Sequence, residues 1–253
     1  MLNPTRATRL IDDLIRLGNS GEWDVPIQKE NIDWFAQYGS LRDIYCNTNL
    51  IIKRIDELVH AGADLTGKAY AFSNVNNEVL LNKAFEYGAN PNIPGSIGLL
   101  PIERALNRGR FTIVDMLINH PDFDLNQTGR YKQNILFMAV ESNKFKMALK
   151  IFDINPKFSL SKDMDNSSIL MATAYKIKDK EKLTPNIKKF IKLCLDYSST
   201  VNSEFSISEI NKKGDSIFSI APILAQIIME RNVLDLNENL SKTDEVTKKI
   251  FKL

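Results

Sequence analysis

Residues 98–105 read Gly98-Leu99-Leu100-Pro101-Ile102-Glu103-Arg104-Ala105, and a faint copy of this stretch recurs along most of the chain. Glycine opens it, proline follows three residues later, and apolar and small residues then come at helical spacing. Proline suits the first turn of a helix, where its missing N–H would be unpaired in any case. The small Ala105 lets a neighbouring helix approach closely. Downstream, Ile113-Val114 and Met116-Leu117 supply a second apolar stripe, so the unit reads as two short helices. Working outward, unit starts fall at Gly39, Gly67, Gly98, Lys132, Asp165 and Gly214, which are 28, 31, 34, 33 and 49 residues apart. Seven residues after each start lie Cys46, Asn74, Ala105, Ala139, Ala172 and Ala221. Paired apolar residues such as Leu58-Val59, Ala84-Phe85, Ile151-Phe152 and Cys194-Leu195 close the units. A self-similarity of about 33 residues marks a solenoid, whose units bury their apolar faces against one another and present a long surface.

Three segments carry a resemblance: Ala61-Gly62-Ala63-Asp64, Tyr87-Gly88-Ala89-Asn90, and Leu100-Pro101-Ile102-Glu103-Arg104-Ala105. They resemble the ankyrin repeat, whose unit runs roughly G-x-T-P-L-H-x-A-A, then paired aliphatics, then G-A. The resemblance covers about residues 39–235, with the Gly98 and Lys132 units matching best. It implies an all-α ankyrin-repeat solenoid of about five to six helix-turn-helix units with helical N- and C-terminal caps. The motif histidine is replaced by Ile44, Phe72, Glu103, Phe137, Leu170 and Ser219. Stacking is therefore expected to rest on apolar burial, at about 25 cal/mol per Å².

Punctuation divides the rest. Residues 1–38 read as an N-terminal helical cap, with a helix from Thr8 to Leu17 and a second from Glu30 to Tyr38. Residues 39–235 form the repeat domain, and residues 236–253 a C-terminal helix or flexible tail. The Asp165 unit is too long, and the surplus is expected at about residues 176–186 and again at Glu204 to Glu209. Thr184-Pro185 fits the start of that unit's second helix.

Composition excludes several classes. With 43% hydrophobic and 25% charged residues, the chain has ample material for a continuous core. No apolar run is long enough for a membrane span. The opening Met1-Leu2-Asn3-Pro4-Thr5-Arg6 does not read as a secretory signal. Cys46 and Cys194 occupy equivalent positions in distant units and read as buried, reduced thiols of a cytoplasmic protein. Only His60 and His120 are present, and no C-x-x-C, H-E-x-x-H, G-x-S-x-G or phosphate-cradling glycine motif occurs. Catalytic residues, metals and cofactors are accordingly not expected. Asp163-Met164-Asp165-Asn166-Ser167 begins like a calcium loop, but Ser168 and Ala174 stand where glycine and glutamate belong. Turn geometry alone accounts for the cluster.

Charge is uneven although the net is only +2. Residues 1–65 hold ten acids and seven bases, whereas Lys176 to Lys192 holds seven lysines and two acids. The latter segment reads as a basic protrusion that adds reach. By position in the ankyrin-like unit, the resemblance implies a partner-binding concave face formed by Arg104, Arg108, Arg110, Arg130, Tyr131, Lys132, Met138, Lys144 and Met171. Arginine and tyrosine are frequent interface anchors. The expected partner is a protein with an acidic surface. A pI near 8.4 with little aromatic interleaving argues against nucleic acid. The expected function is a monomeric protein–protein interaction module, with an adaptor that brings an enzyme such as a ubiquitin ligase to a substrate as the alternative. Irregular repeats rich in Lys, Asn and Ile resemble ankyrin proteins that intracellular bacteria inject into host cells. Asn237 to Leu253 would then suit a translocation signal.

Overall fold

The computed structural model describes residues 3–20, 28, 30–31, 47–75, 77–129, 131–180, 182–201, 209–225 and 227–229. These are mostly helical and contain no strand beyond an isolated antiparallel bridge between Lys162 and Ser168. The chain falls into two compact units, Met1–Arg130 and Tyr131–Leu253.

The first unit contains α1 (Pro4–Ser20), α2 (Thr48–His60), α3 (Ala69–Asn74), α4 (Glu78–Glu86), α5 (Pro101–Arg108) and α6 (Phe111–Ile118). Helices α3 and α4 pair, as do α5 and α6, and alternate helices stack: α3 on α5, and α2 on α4 on α6. Helix α1 lies against α2 and α3 and buries Ala7, Leu10, Ile11, Leu14 and Ile15. Local chemistry sets the ends. Asn77 caps α4 by accepting the Leu80 N–H at 3.2 Å, and Pro101 opens α5. Gly109 closes α5 at φ 68°, a left-handed conformation that costs glycine no Cβ clash.

The second unit contains α7 (Ile135–Glu141), α8 (Phe145–Ile154), a 3-10 turn (Pro156–Leu160), α9 (Ile169–Ile177), α10 (Pro185–Thr200) and α11 (Ile217–Ile220). An inner row runs α7, α9, α11, and an outer row runs α8, α10. Phe190 of α10 is fully buried and meets Phe145 and Phe152 of α8 edge-on, with centroids 5.7 and 6.4 Å apart. Such edge contacts add about 0.5–1.5 kcal/mol to the burial itself.

Helix caps fix the repeat register. Lys68, Leu100, Asn134, Ser168 and Ser216 each precede the first helix of a pair, 32, 34, 34 and 48 residues apart. Two residues earlier the backbone turns left-handed at Gly98, Lys132, Asn166 and Gly214. Two expected starts therefore shift. Asn166, not Asp165, occupies the turn, and Gly67 is not left-handed, so Thr66 is its counterpart. The small-residue positions become Ser73 and Thr173 in place of Asn74 and Ala172. Both are buried, and each hydroxyl donates to a carbonyl one turn back, Ala69 at 2.7 Å and Ile169 at 2.8 Å.

Successive loops are laced by main-chain hydrogen bonds. In the first unit Asn90 N–H donates to the Thr66 carbonyl at 2.9 Å. In the second, Met164 N–H donates to Tyr131 at 3.0 Å and Lys212 N–H to Asp165 at 2.8 Å.

The surplus residues do not all lie in loops. Thr184 and Pro185 begin α10 as expected, and the Thr184 hydroxyl accepts the Ile187 N–H. However, α10 itself has 16 residues, against 8 in α6 and 10 in α8. Ile177 and Leu183 are buried at the two ends of the segment between α9 and α10, while Lys178, Asp179 and Lys182 are exposed. Cys46, most of the expected Glu30–Tyr38 helix and the 236–253 tail lie outside the described residues. No helix among the described residues is long and apolar enough to cross a membrane.

Candidate functional site

In the second unit, the laced loops stand beside the exposed ends of the inner helices and enclose a groove of about 390 Å³. Tyr131, Gln133 and residues 163–165 form one wall, and Glu141 of α7 with Ala172, Tyr175 and Lys176 of α9 form the other. Lys213, from the loop before α11, closes the end. The loop spacing follows from the main-chain rungs, which set Met164 next to Tyr131. These two apolar side chains stand at the rim, 47% and 43% exposed.

Polar groups of the groove are paired within the protein. Asp163 is turned on its own loop, where its Oδ1 accepts the Asp165 and Ser167 N–H groups at 2.9 and 2.8 Å. Lys176 pairs with Glu141 at 2.9 Å and Lys213 with Asp165 at 2.6 Å. The Asp165 carboxylate holds the Lys213 ammonium above its ordinary pKa. Because Lys213 is largely exposed, that pair is worth only about 0–1 kcal/mol. Beneath them, Tyr175 donates its hydroxyl proton to Asp215. Buried Asn211 reaches the same hydroxyl at 3.3 Å and Ser167 Oγ at 3.2 Å. Burial first, and the Asp215 carboxylate second, push the Tyr175 phenol above its usual range. The groove thus combines a hydrogen-bonded polar floor, surface ion pairs and an exposed aromatic–thioether ledge.

No protein-family model matches the chain, and no curated protein matches it in sequence.

The expected binding residues divide sharply. Tyr131 lines the groove and is exposed, and Lys132 is exposed beside it at the turn. Met138 and Met171 are buried, at 2% and 0% exposure, so neither belongs to a surface. Met138 belongs to a unit whose register is unshifted and is as buried as Met171, so both side chains are taken up in packing. Lys144 is half-buried at the start of α8. In the first unit, Arg104 and Arg110 are half-buried rather than exposed. Arg104 Nε donates to the Asn74 side chain at 2.8 Å and its guanidinium lies 5.9 Å from the Tyr70 ring centroid. Arg110 donates to the Asn74 carbonyl at the end of α3, satisfying a carbonyl that so short a helix leaves unpaired. Arg108 is exposed. Arg130 lies outside the described residues. The expected continuous basic patch is thus corrected: Arg104 ties α5 to α3, and Arg110, at the start of α6, ties the turn after α5 to the end of α3.

Sequence reasoning missed Met164, Asp165, Tyr175 and Lys213 as groove residues. Asp165 could have been found, since it stands just before the left-handed turn residue as Tyr131 does one unit earlier. Lys213 could not, because the long interval before Gly214 hid which loop follows Asp165.

The other reactive groups are accounted for locally. His60 meets the Asp56 carbonyl at 2.6 Å, and His120 packs on Phe85 with centroids 4.4 Å apart. Cys194 is buried, and burial drives its thiol far above the ordinary range. Among the described residues no three His, Cys, Asp or Glu side chains gather as a metal site.

Proposed function

We propose that this chain is an ankyrin-like protein-binding module that grips a partner protein in the groove of its second unit. The observation that carries the reading is the exposed Tyr131–Met164 ledge held over a prearranged polar floor. Ankyrin-like stacking is supported by the alternating inner and outer rows and by the repeated loop-to-loop rungs. The contact segment would offer an apolar side chain to the ledge and charged groups able to exchange with the Glu141–Lys176 and Asp165–Lys213 pairs. Binding, not catalysis, is the role such a surface serves best. Delivery into a host cell remains part of this proposal as the setting in which the module acts.

A photo-crosslinking amino acid placed at position 164, with one at exposed Lys146 on α8 as control, tests it. The position-164 protein should capture one partner covalently from host-cell extract, and excess unlabelled protein should compete. Tyr131→Ala should weaken that partner's affinity by about tenfold or more. Equal capture from positions 164 and 146, or full affinity in Tyr131→Ala, would refute the assignment.

A further inference from the structure

The lysine-rich segment singled out by sequence leads to a different surface. Lys188, Ile191, Lys192 and Leu195 follow one another at i, i+3, i+4 and i+7 on α10, so they share one stripe of that helix. With Ile227 opposite, they line a trough of about 450 Å³. Ile191 and Leu195 are recessed as its floor, while Lys188 and Lys192 stand exposed one turn apart at its rim. Among the described residues neither lysine has an ion-pair partner. Lys189 and Lys182 add exposed positive charge nearby in sequence.

We propose that this trough docks a short acidic amphipathic helix of a partner protein, at a site independent of the inner-row groove. Apolar residues of that helix fill the space over Ile191, Leu195 and Ile227, and carboxylates one turn apart meet Lys188 and Lys192. Helix-in-groove recognition reads apolar anchors at this same spacing. Charge complementarity selects the occupant, since an apolar floor between two cations favours a ligand that is apolar along one stripe and anionic along its edge. Nucleic acid would satisfy the lysines and leave the floor unfilled. A lipid surface calls for apolar side chains that protrude, and these are recessed.

The test uses the full chain and a fluorescent designed peptide of about four helical turns, with a Leu/Ile stripe flanked by Glu at i, i+4. Two control peptides replace Glu by Lys, or Leu and Ile by Ser. Anisotropy titrations at about 0.05 and 0.3 M salt should show binding of the acidic peptide that weakens with salt. Binding should be about tenfold or more weaker for each control and for the Lys188→Glu/Lys192→Glu variant. Both substituted side chains are exposed, so circular dichroism and Tm should match the wild type. The charge-reversed variant should instead prefer the Lys peptide. Failure to bind the acidic peptide overturns the proposal, as does equal binding of the Glu and Lys peptides. So does binding of phosphatidylserine vesicles with no response to peptide. A crosslinker at position 192 that captures residues 236–253 of the same chain, and not the peptide, would also overturn it.

Discussion

Asn134 holds two structural contacts with one side chain, and replacing it in steps separates them. Its Oδ1 accepts the Phe137 N–H at 3.0 Å and so caps α7, while its Nδ2 donates to the Phe158 carbonyl at 2.9 Å in the 3-10 turn. The residue is buried, so water does not replace a lost bond. Asn134→Thr keeps a capping oxygen and removes the donor; the Phe158 carbonyl still accepts the Ser161 N–H at 3.3 Å, so the loss is that of one hydrogen bond, about 0.5–1.5 kcal/mol. Asn134→Ala also removes the cap, which adds about 1 kcal/mol. Expected losses are thus about 0.5–1.5 kcal/mol for threonine and about 1.5–2.5 kcal/mol for alanine, a sizeable share of the 5–15 kcal/mol typical of a folded domain. Urea unfolding followed by circular dichroism measures both, with an unchanged m-value confirming that the folded state is unaltered. Hydrogen exchange at the Phe137 amide should accelerate in the alanine variant and not in the threonine variant beyond its overall loss of stability. Should alanine cost under about 0.5 kcal/mol, or no more than threonine, the assignment of a double role is wrong.

Lys132 is exposed at φ 57°, and Lys132→Gly should stabilise the protein by about 0.5–1 kcal/mol, because relief of left-handed strain exceeds the added chain entropy. A scanning calorimeter should register a Tm rise of about 1–4 °C. Buried Cys194 should resist thiol reagents in the native state and react fully in urea, read most simply in a Cys46→Ser background. Its raised pKa has a pH signature as well. Above about pH 9 the unfolded thiol ionises while the folded one keeps its proton, so stability should fall with rising pH. Cys194→Ala should flatten that decline.

The helical pairs were readable because their signals are local. Pro101 and Thr184-Pro185 open helices for backbone reasons that no tertiary contact overrides. Glycine misled where it does no conformational work: Gly67 is not left-handed, and Asn166, a residue that tolerates φ near 62°, serves the turn that Asp165 was expected to serve. That single step turns the expected face of α9 by about 100°, although Met138, in an unshifted unit, is buried as well. Arg104 and Arg110 illustrate a second limit. Periodicity places them away from the core but says nothing of Asn74, whose side chain and carbonyl lie within their reach. Among the expected binding residues only Tyr131 lies in the groove, because its other walls join loops to the ends of α7 and α9, and their pairing depends on which unit follows which.

Main-chain rungs joining Tyr131 to Met164 and Asp165 to Lys212 have an evolutionary corollary. Every residue except proline can supply an amide donor, so the distance between neighbouring fingertips is indifferent to what those fingertips display. Selection can then rewrite the chemistry of the ridge, one tip at a time, without renegotiating the scaffold beneath it.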